Sequence, residues 1–140
     1  MAGPVVVDPT KPVHREPEFG TATRDDVPGF LGIMQILHQE PTSSAFARLL
    51  TADLRNEDRV PLAHLFEEIS TLALHRLIVE DLLFDAFAFD VYWNELGETV
   101  EKVRRKTGNP KFGENFEIAA GLARLYRERR PPKVRAIGKD

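Results

Sequence analysis

The sequence predicts an all-α protein, a small helical bundle of about five helices around a long central helix at residues 80–107. The first observation is that apolar residues recur at steps of three and four through most of the chain, which is helical spacing. The second is that proline and glycine separate these segments, and that a β-prone pattern is confined to one valine triplet. We therefore divide the chain into an extended Pro-rich arm at 1–28, a helical domain at 29–130 and a basic tail at 131–140.

Composition favours one soluble domain and excludes several kinds of chemistry. The chain has 140 residues, of which 42% are hydrophobic, so it can bury a core. It has no cysteine, which excludes disulfides, thiolate metal sites and cysteine nucleophiles. The net charge of −3 does not require nucleic acid or an anionic membrane as a partner. Because neither a secretory signal nor an apolar run of bilayer length is visible, we expect a cytoplasmic protein without membrane insertion.

The N-terminal arm is rich in proline, with five of the ten prolines of the chain. Proline removes amide donors and disfavours helix at the preceding residue, so the arm is expected to be extended. One interpretation is an unstructured terminus. The other is that the arm docks onto a partner protein, and its candidate contacts are Val5, Val6, Val7 and Phe19.

Two short helices are expected to open the domain. After Pro28, apolar residues at helical spacing predict the first helix, which Pro41 ends. Thr42 or Ser43 is expected to cap the second helix, and residues 56–58 are expected to end it. The residues expected on the inner faces are Phe30, Ile33, Met34, Leu37, Phe46, Leu49, Leu50 and Leu54.

Three longer helices follow. The third helix is expected to begin near Pro61, because proline is favoured in the first turn of a helix. A short link at residues 76–79 makes it antiparallel to the central helix. Gly108 and Pro110 end the central helix, whose basic last turn suits the negative end of the helix dipole. A last helix is expected over residues 111–130.

The central helix is expected to be enclosed over its first half, where apolar residues occupy nearly every face. Trp93, the only tryptophan, lies on its continuous apolar seam. If Trp93 is buried there, Trp93→Ala should destabilise the fold by about 3–5 kcal/mol. The seam consists of Leu82, Ala86, Phe89, Trp93, Leu96, Val100 and Val103.

Five short motifs occur between Pro61 and Arg130: FEE at 66–68, LI at 77–78, YW at 92–93, RRKTGNP at 104–110 and ENFE at 114–117. On these motifs the segment, about half of the chain, resembles DUF4760, a small helical bacterial family of unknown function. The chain departs from the family pattern at the hairpin turn, where the family tends to have glycine and a capping aspartate. Arg76 and Val79 stand there instead. The resemblance implies a helical fold and no particular activity.

Candidate metal-binding and catalytic residues are few. His64 and Glu68 lie one helical turn apart and could share a metal ion, but a metal site needs at least a third converging ligand. The interpretation that we favour is an ordinary surface pair. The sequence has no nucleophile elbow and no glycine-rich phosphate loop. We therefore expect no catalytic residue, no cofactor and no metal ion.

Three aspartates lie in the apolar half of the central helix and could act as paired acids and bases. Asp81 and Asp85 are more simply explained as charges that the dipole favours near a helix N-terminus. Asp90 would need an arginine partner if it were buried. The candidates for that partner are Arg48, Arg55 and Arg124.

The end of the last helix and the C-terminal tail together are the most basic part of the chain. Residues 124–140 hold seven lysines and arginines against two acidic residues, a local charge of +5, so the rest of the chain carries −8. These charges could contact phosphates, with Tyr126 as a base-stacking candidate. Part of the charge continues an amphipathic helix and is equally an ordinary solvated face. The candidate partner-binding residues are Arg127, Arg129, Arg130, Lys133 and Arg135.

These observations favour a non-catalytic protein–protein interaction module, an accessory or adaptor subunit of a larger assembly. It would dock through the arm, with three basic and five acidic residues, and through the oppositely charged tail. The first alternative is a nucleic-acid-associated regulatory protein that uses the basic tail. The second is a small helical metal-binding protein or enzyme built on the face of His64 and Glu68.

Overall fold

The computed structural model describes residues 16–130 and Lys133. Within them the chain is all-α, as predicted, and has no strand. A short 3-10 turn at Arg24–Asp26 precedes the first helix. The six helices are α1 (Val27–Leu37), α2 (Thr42–Leu50), α3 (Asn56–Leu74), α4 (Glu80–Ala86), α5 (Phe89–Thr107) and α6 (Glu114–Arg129).

The core lies where α3, α5 and α6 meet, since each of these helices packs against the other two. Its centre is a cluster of buried aromatic rings from all three helices: Phe66, Phe89, Tyr92 and Phe116. The ring centroid of Phe66 lies 5.3, 5.1 and 5.4 Å from those of the other three, in that order. Contacts of this kind stabilise a core beyond the area that they bury. Trp93 is half-buried and meets Phe116 edge-on at 5.1 Å, so it borders this cluster rather than filling its centre.

The prediction of one central helix over residues 80–107 is wrong, because the helix is interrupted at Phe87 and Ala88. Phe87 has extended backbone angles, with φ −130° and ψ 127°. This interruption turns the Phe87 ring towards Phe30 and Phe46, at centroid distances of 6.0 and 6.3 Å. Phe89 then begins α5 and points into the aromatic cluster. Two separate helices therefore let neighbouring phenylalanines pack on different partners.

The predicted start of α3 is also wrong, because the helix begins at Asn56 and includes Pro61. Asp58 in the first turn accepts a hydrogen bond from the backbone N–H of Arg55 at 2.9 Å. It also forms two hydrogen bonds with the guanidinium of Arg48 on α2, both of 2.7 Å. Residues 56–58 are therefore the first turn of α3 and not a break between helices. The Arg55 bond satisfies one backbone donor at a helix N-terminus that lies five residues before the proline, and the Arg48 bonds hold the Asp58 carboxylate in place.

The cap of α2 is not the one predicted, because Thr42 is already helical and Ser43 follows it. The carboxylate of Glu40 takes the capping role instead. It accepts a hydrogen bond from the backbone N–H of Ser44 at 2.8 Å and a second one from the Ser44 hydroxyl. An acidic side chain suits the positive end of the helix dipole.

The hairpin turn between α3 and α4 explains how this chain departs from the family pattern. Arg76 has a φ of +61°, a left-handed conformation that glycine adopts most easily. The backbone N–H of Leu77 donates to the carbonyl of Leu72 at 2.8 Å and closes the helix end. Val79 precedes α4 without a side-chain cap. The left-handed turn that glycine usually forms is thus present, but arginine occupies it.

Candidate interaction surfaces

Residues Glu16–Gly20, which we call the strap, lie against the start of α4 and the end of α6. The backbone N–H of Glu18 donates to the Glu80 carboxylate at 3.1 Å, and that of Gly20 donates to Asp81 at 3.0 Å. Phe19 stacks on Tyr126 with ring centroids 5.0 Å apart. This predicted partner contact is therefore engaged within the chain. Val5, Val6 and Val7 of the arm, like Arg135 of the tail, lie outside the described residues.

Each of the four described basic residues that we selected near the C-terminus contacts a carboxylate of the same chain. The pairs are Arg127–Asp90, Arg129–Glu16 at 2.5 Å, Arg130–Asp81 at 3.4 Å and Lys133–Asp85 at 2.7 Å. Arg127 is the partner of Asp90, so the expected pairing with Arg48, Arg55 or Arg124 is wrong. Exposed ion pairs contribute little stability individually, but these offset much of the charge at the end of α6.

Tyr126 is buried at the junction of the strap, α4 and α6. Burial, together with the hydrogen bond that its hydroxyl donates to Asp81 at 2.8 Å, raises the pKa of Tyr126 to about 12. The guanidinium of Arg130 lies 5.4 Å from the centroid of the Phe19 ring and 5.9 Å from that of Tyr126. The ring that we considered for base stacking is thus covered by the chain itself.

Two of the motifs that carry the family resemblance meet in the core. Glu67 of the FEE motif accepts hydrogen bonds from the Asn115 side chain at 2.8 Å and from the Phe116 backbone N–H at 2.9 Å. Asn115 also donates to the Thr71 hydroxyl at 3.0 Å. Phe66 of the same motif packs on Phe116. These motif residues therefore join α3 to the first turn of α6 and have a structural explanation.

The face of His64 and Glu68 is open to solvent, with 61% and 62% of the two side chains exposed. The His64 Nδ1 atom lies 3.5 Å from a Glu68 carboxylate oxygen. Among residues 16–130 and Lys133, no three histidine, aspartate or glutamate side chains are grouped as a metal ion would require. In the same part of the chain, no helix combines the length and apolarity of a membrane span.

Helix α1 has an unusual surface that the sequence reasoning missed. It contains no charged residue from Val27 to Leu37. Its buried residues are Ile33 and Leu37, whereas Val27, Leu31 and Ile36 are 45%, 47% and 45% exposed. We call the solvent side of this helix the α1 face. The run of uncharged residues was the signal that could have revealed it.

A cleft of about 510 Å³ lies between the start of α3 and the second half of α5, and we call it the α3–α5 cleft. Three cations, one acid and two valines dominate its lining. These residues are Arg59, Val60, Glu98, Lys102, Val103 and Lys106. The cleft has an excess of positive charge and some apolar surface.

Comparison with known proteins identifies a family but no characterised relative. The family model described as a domain of unknown function, DUF4760, matches residues 28–121. The match takes in helices α1 to α5 and the first half of α6, and leaves out the strap and Tyr126. No curated protein and no solved structure matches the chain. The chain belongs to the DUF4760 family, whose function is unknown.

Proposed function

We propose that this protein is a non-catalytic protein–protein interaction module, an accessory or adaptor subunit that docks through the α1 face. The observation that carries the proposal is the uncharged, apolar and half-exposed surface of α1. A helix without charges and with apolar residues on most sides is normally enclosed, and Gln35 is the one polar side chain of α1. The rest of the chain covers one side of α1, and a partner protein would cover the other side.

The partner surface should itself be apolar and uncharged. A charged partner group would lose hydration against Val27, Leu31 and Ile36 without gaining an opposite charge. The centres of protein interfaces are correspondingly depleted in charge. Gly32, between two of these residues, has open space where a side chain would stand, so a partner helix could approach closely.

In this proposal the main docking surface is the α1 face and not the arm or the tail. Phe19 and the basic residues at the end of α6 already have partners within the chain. Val5–Val7 and Arg135 stay in the proposal as additional contacts. Because Tyr126 is buried, the alternative of nucleic-acid binding at the tail has less support. A place in the bacterial cytoplasm is part of the same proposal and agrees with the lack of cysteine.

Site-specific photo-crosslinking in cells tests the α1 face. A photoreactive residue at Leu31 or Ile36 should give one defined crosslinked product with a partner protein. The matched control is Leu72 on α3, which is also apolar and 40% exposed but lies outside the α1 face. Mass spectrometry of the product separates a different protein from a second copy of this chain.

The double substitution Leu31→Asp with Ile36→Asp should abolish the product that forms from a photoreactive residue at Val27. Thermal unfolding followed by circular dichroism would verify that the variant folds. The proposal fails if Leu31, Ile36 and Leu72 give the same products, or if the aspartates leave the product unchanged.

A further inference from the structure

We propose that the α3–α5 cleft binds an acidic peptide segment of a partner protein, in which carboxylate side chains flank an apolar one. This inference rests on the proposed role as an interaction module, but it concerns a second surface and a partner of different chemistry. The α1 face is uncharged, whereas the cleft has three cations and one acid in its lining.

The cations of the cleft differ from those at the end of α6. None of Arg59, Lys102 and Lys106 forms an ion pair with another residue in the described part of the chain. Each of the four described cations that we selected near the C-terminus, by contrast, has a carboxylate partner. The three cleft cations are therefore available to a ligand, whereas the described tail residues that the sequence indicated are already paired.

Arg59 is held in position to receive a carboxylate. It is half-buried, and its Nη1 atom donates a hydrogen bond to the backbone carbonyl of Glu95 at 3.0 Å. This bond links α3 to α5 and restricts the guanidinium at the side of the cleft. A guanidinium has five N–H donors, so others remain to bind a carboxylate. Because the arginine is already fixed, less side-chain entropy is lost on binding.

The apolar part of the cleft determines the second feature of the ligand. Val60 is 46% exposed and follows Arg59 directly in α3. Val103 is half-buried and lies between Lys102 and Lys106 along α5. Each helix thus places a valine beside one or two cations, and a ligand that satisfies both would combine carboxylates with an aliphatic or aromatic group.

A peptide fits this lining better than a nucleic acid does. No aromatic side chain is present among the described residues that line the cleft, so bases would have no ring to stack on. Glu98 would repel carboxylates and phosphates alike, but it can accept a hydrogen bond from a peptide N–H, a donor that a phosphate backbone does not have. The volume of about 510 Å³ is in the usual range of ligand pockets and accommodates a few side chains.

Peptide display against the full-length protein tests the inference even though the partner is unidentified. A random library should be enriched in sequences with aspartate or glutamate on both sides of an apolar residue. A labelled synthetic peptide of the enriched sequence is then titrated by fluorescence anisotropy. Binding should weaken at least about tenfold for Lys102→Glu with Lys106→Glu, and also for Arg59→Gln, and it should weaken with rising salt.

Lys111→Glu with Arg124→Glu is the matched control, since both residues are exposed cations outside the cleft. This variant should bind the peptide within about twofold of the natural protein. A library without acidic enrichment overturns the inference, as does equal binding by the cleft and control variants. Retention of DNA or inorganic phosphate through the same cleft residues, in place of peptide, overturns it as well.

The same variants separate this inference from the proposed function. Leu31→Asp with Ile36→Asp should retain the peptide, because the α1 face does not line the cleft. The Lys102→Glu and Lys106→Glu variant should retain the crosslinked product from Leu31. Absence of the crosslinked product in the natural protein therefore contradicts the α1 face alone, and absence of peptide binding in the natural protein contradicts the cleft alone.

Discussion

The Glu67 carboxylate on α3 accepts a hydrogen bond from the backbone N–H of Phe116 in the first turn of α6, at 2.9 Å. A helix ordinarily receives its cap from a residue just before it, but Gly113 precedes α6 and has no side chain to offer. The cap therefore comes from a residue 49 positions earlier in the chain. This contact makes the start of α6 depend on α3 being in place.

We predict that Glu67→Ala lowers the free energy of unfolding by about 1–2 kcal/mol, because it leaves the α6 N-terminus uncapped. Urea denaturation followed by the fluorescence of Trp93, the only tryptophan, would measure this loss. Glu68→Ala is the neighbouring control, since Glu68 is 62% exposed, and it should change stability by less than about 0.5 kcal/mol. Equal losses in the two variants would contradict the cap.

Gly113 is expected to be the glycine least tolerant of substitution. Its φ is +72°, and an added Cβ would lie 2.6 Å from Cγ1 of the buried Val100. We predict that Gly113→Ala destabilises the fold by about 2–4 kcal/mol, from left-handed strain and overpacking together. Gly108→Ala has the same strain, with φ +68°, but open space around it, and should lose only about 1 kcal/mol. Urea denaturation of both variants separates the two contributions.

The Arg48–Asp58 pair should make stability depend on acidity. Hydrogen bonds from Arg48 and from the Arg55 backbone lower the pKa of Asp58 from 3.8 to about 2. A carboxylate whose pKa is lower in the folded protein than in the unfolded protein stabilises the fold at pH values above its unfolded-state pKa. This stabilisation is lost as the pH falls through its folded-state pKa. We predict that Asp58→Asn is less stable than the natural protein at neutral pH.

The difference between the two proteins should shrink as the pH falls from about 4 to about 2, because Asp58 becomes protonated in that interval. Urea midpoints measured across the interval test this. Arg48→Gln removes the same pair from the other side and should show the same trend. A difference that stays constant with pH would mean that the pair does not contribute.

Tyr126 should make the stability of the fold decrease as the pH rises in the alkaline range. Its raised pKa favours the neutral phenol in the fold, so its stabilisation is present below pH 10 and is lost as the pH rises towards about 12. We predict that Tyr126→Phe lowers stability at neutral pH by about 1 kcal/mol, through loss of the hydrogen bond to Asp81. The deficit should disappear as the pH rises from about 10 to about 12.

Tyrosinate absorbance in the folded protein provides an independent measurement. Burial raises the pKa of Tyr92 as well, so both tyrosines should titrate late, and the contribution of Tyr126 should be missing from Tyr126→Phe. Phe19→Ala exposes the ring of Tyr126 and should lower the pH at which this tyrosine titrates. If Phe19→Ala leaves it unchanged, the strap does not shield Tyr126.

The helical segments could be predicted because their causes are local. Spacing of apolar residues indicates helix directly, and Gly108 in a left-handed conformation ends α5 where the sequence placed the stop. The interruption at Phe87 has no such local cause, since no proline or glycine stands there. It follows from the packing of Phe87 on Phe30 and Phe46, which lie far away in the chain. Tertiary contacts thus override a continuous helical pattern.

Charge pairing was the part that the sequence could least predict. Arg127 and Asp90 are 37 positions apart, and nothing in the spacing of either residue indicates the other. The tail therefore looked like an available basic surface, although the four described cations that we selected there are paired within the fold. The α1 face was visible in the sequence as eleven residues without a charge, but only the structure shows which of them solvent reaches.

The strap also has a topological consequence. Because the Glu16 carboxylate contacts the Arg129 guanidinium, the path of the chain from residue 16 to residue 129 returns close to its own beginning. A backbone that nearly forms a ring can be opened elsewhere without rearranging its interior. If residues 16 and 130 were joined by a short linker and the chain were cut at the exposed turn of Asn109, the permuted protein would keep α3, α5 and α6 in the same mutual arrangement.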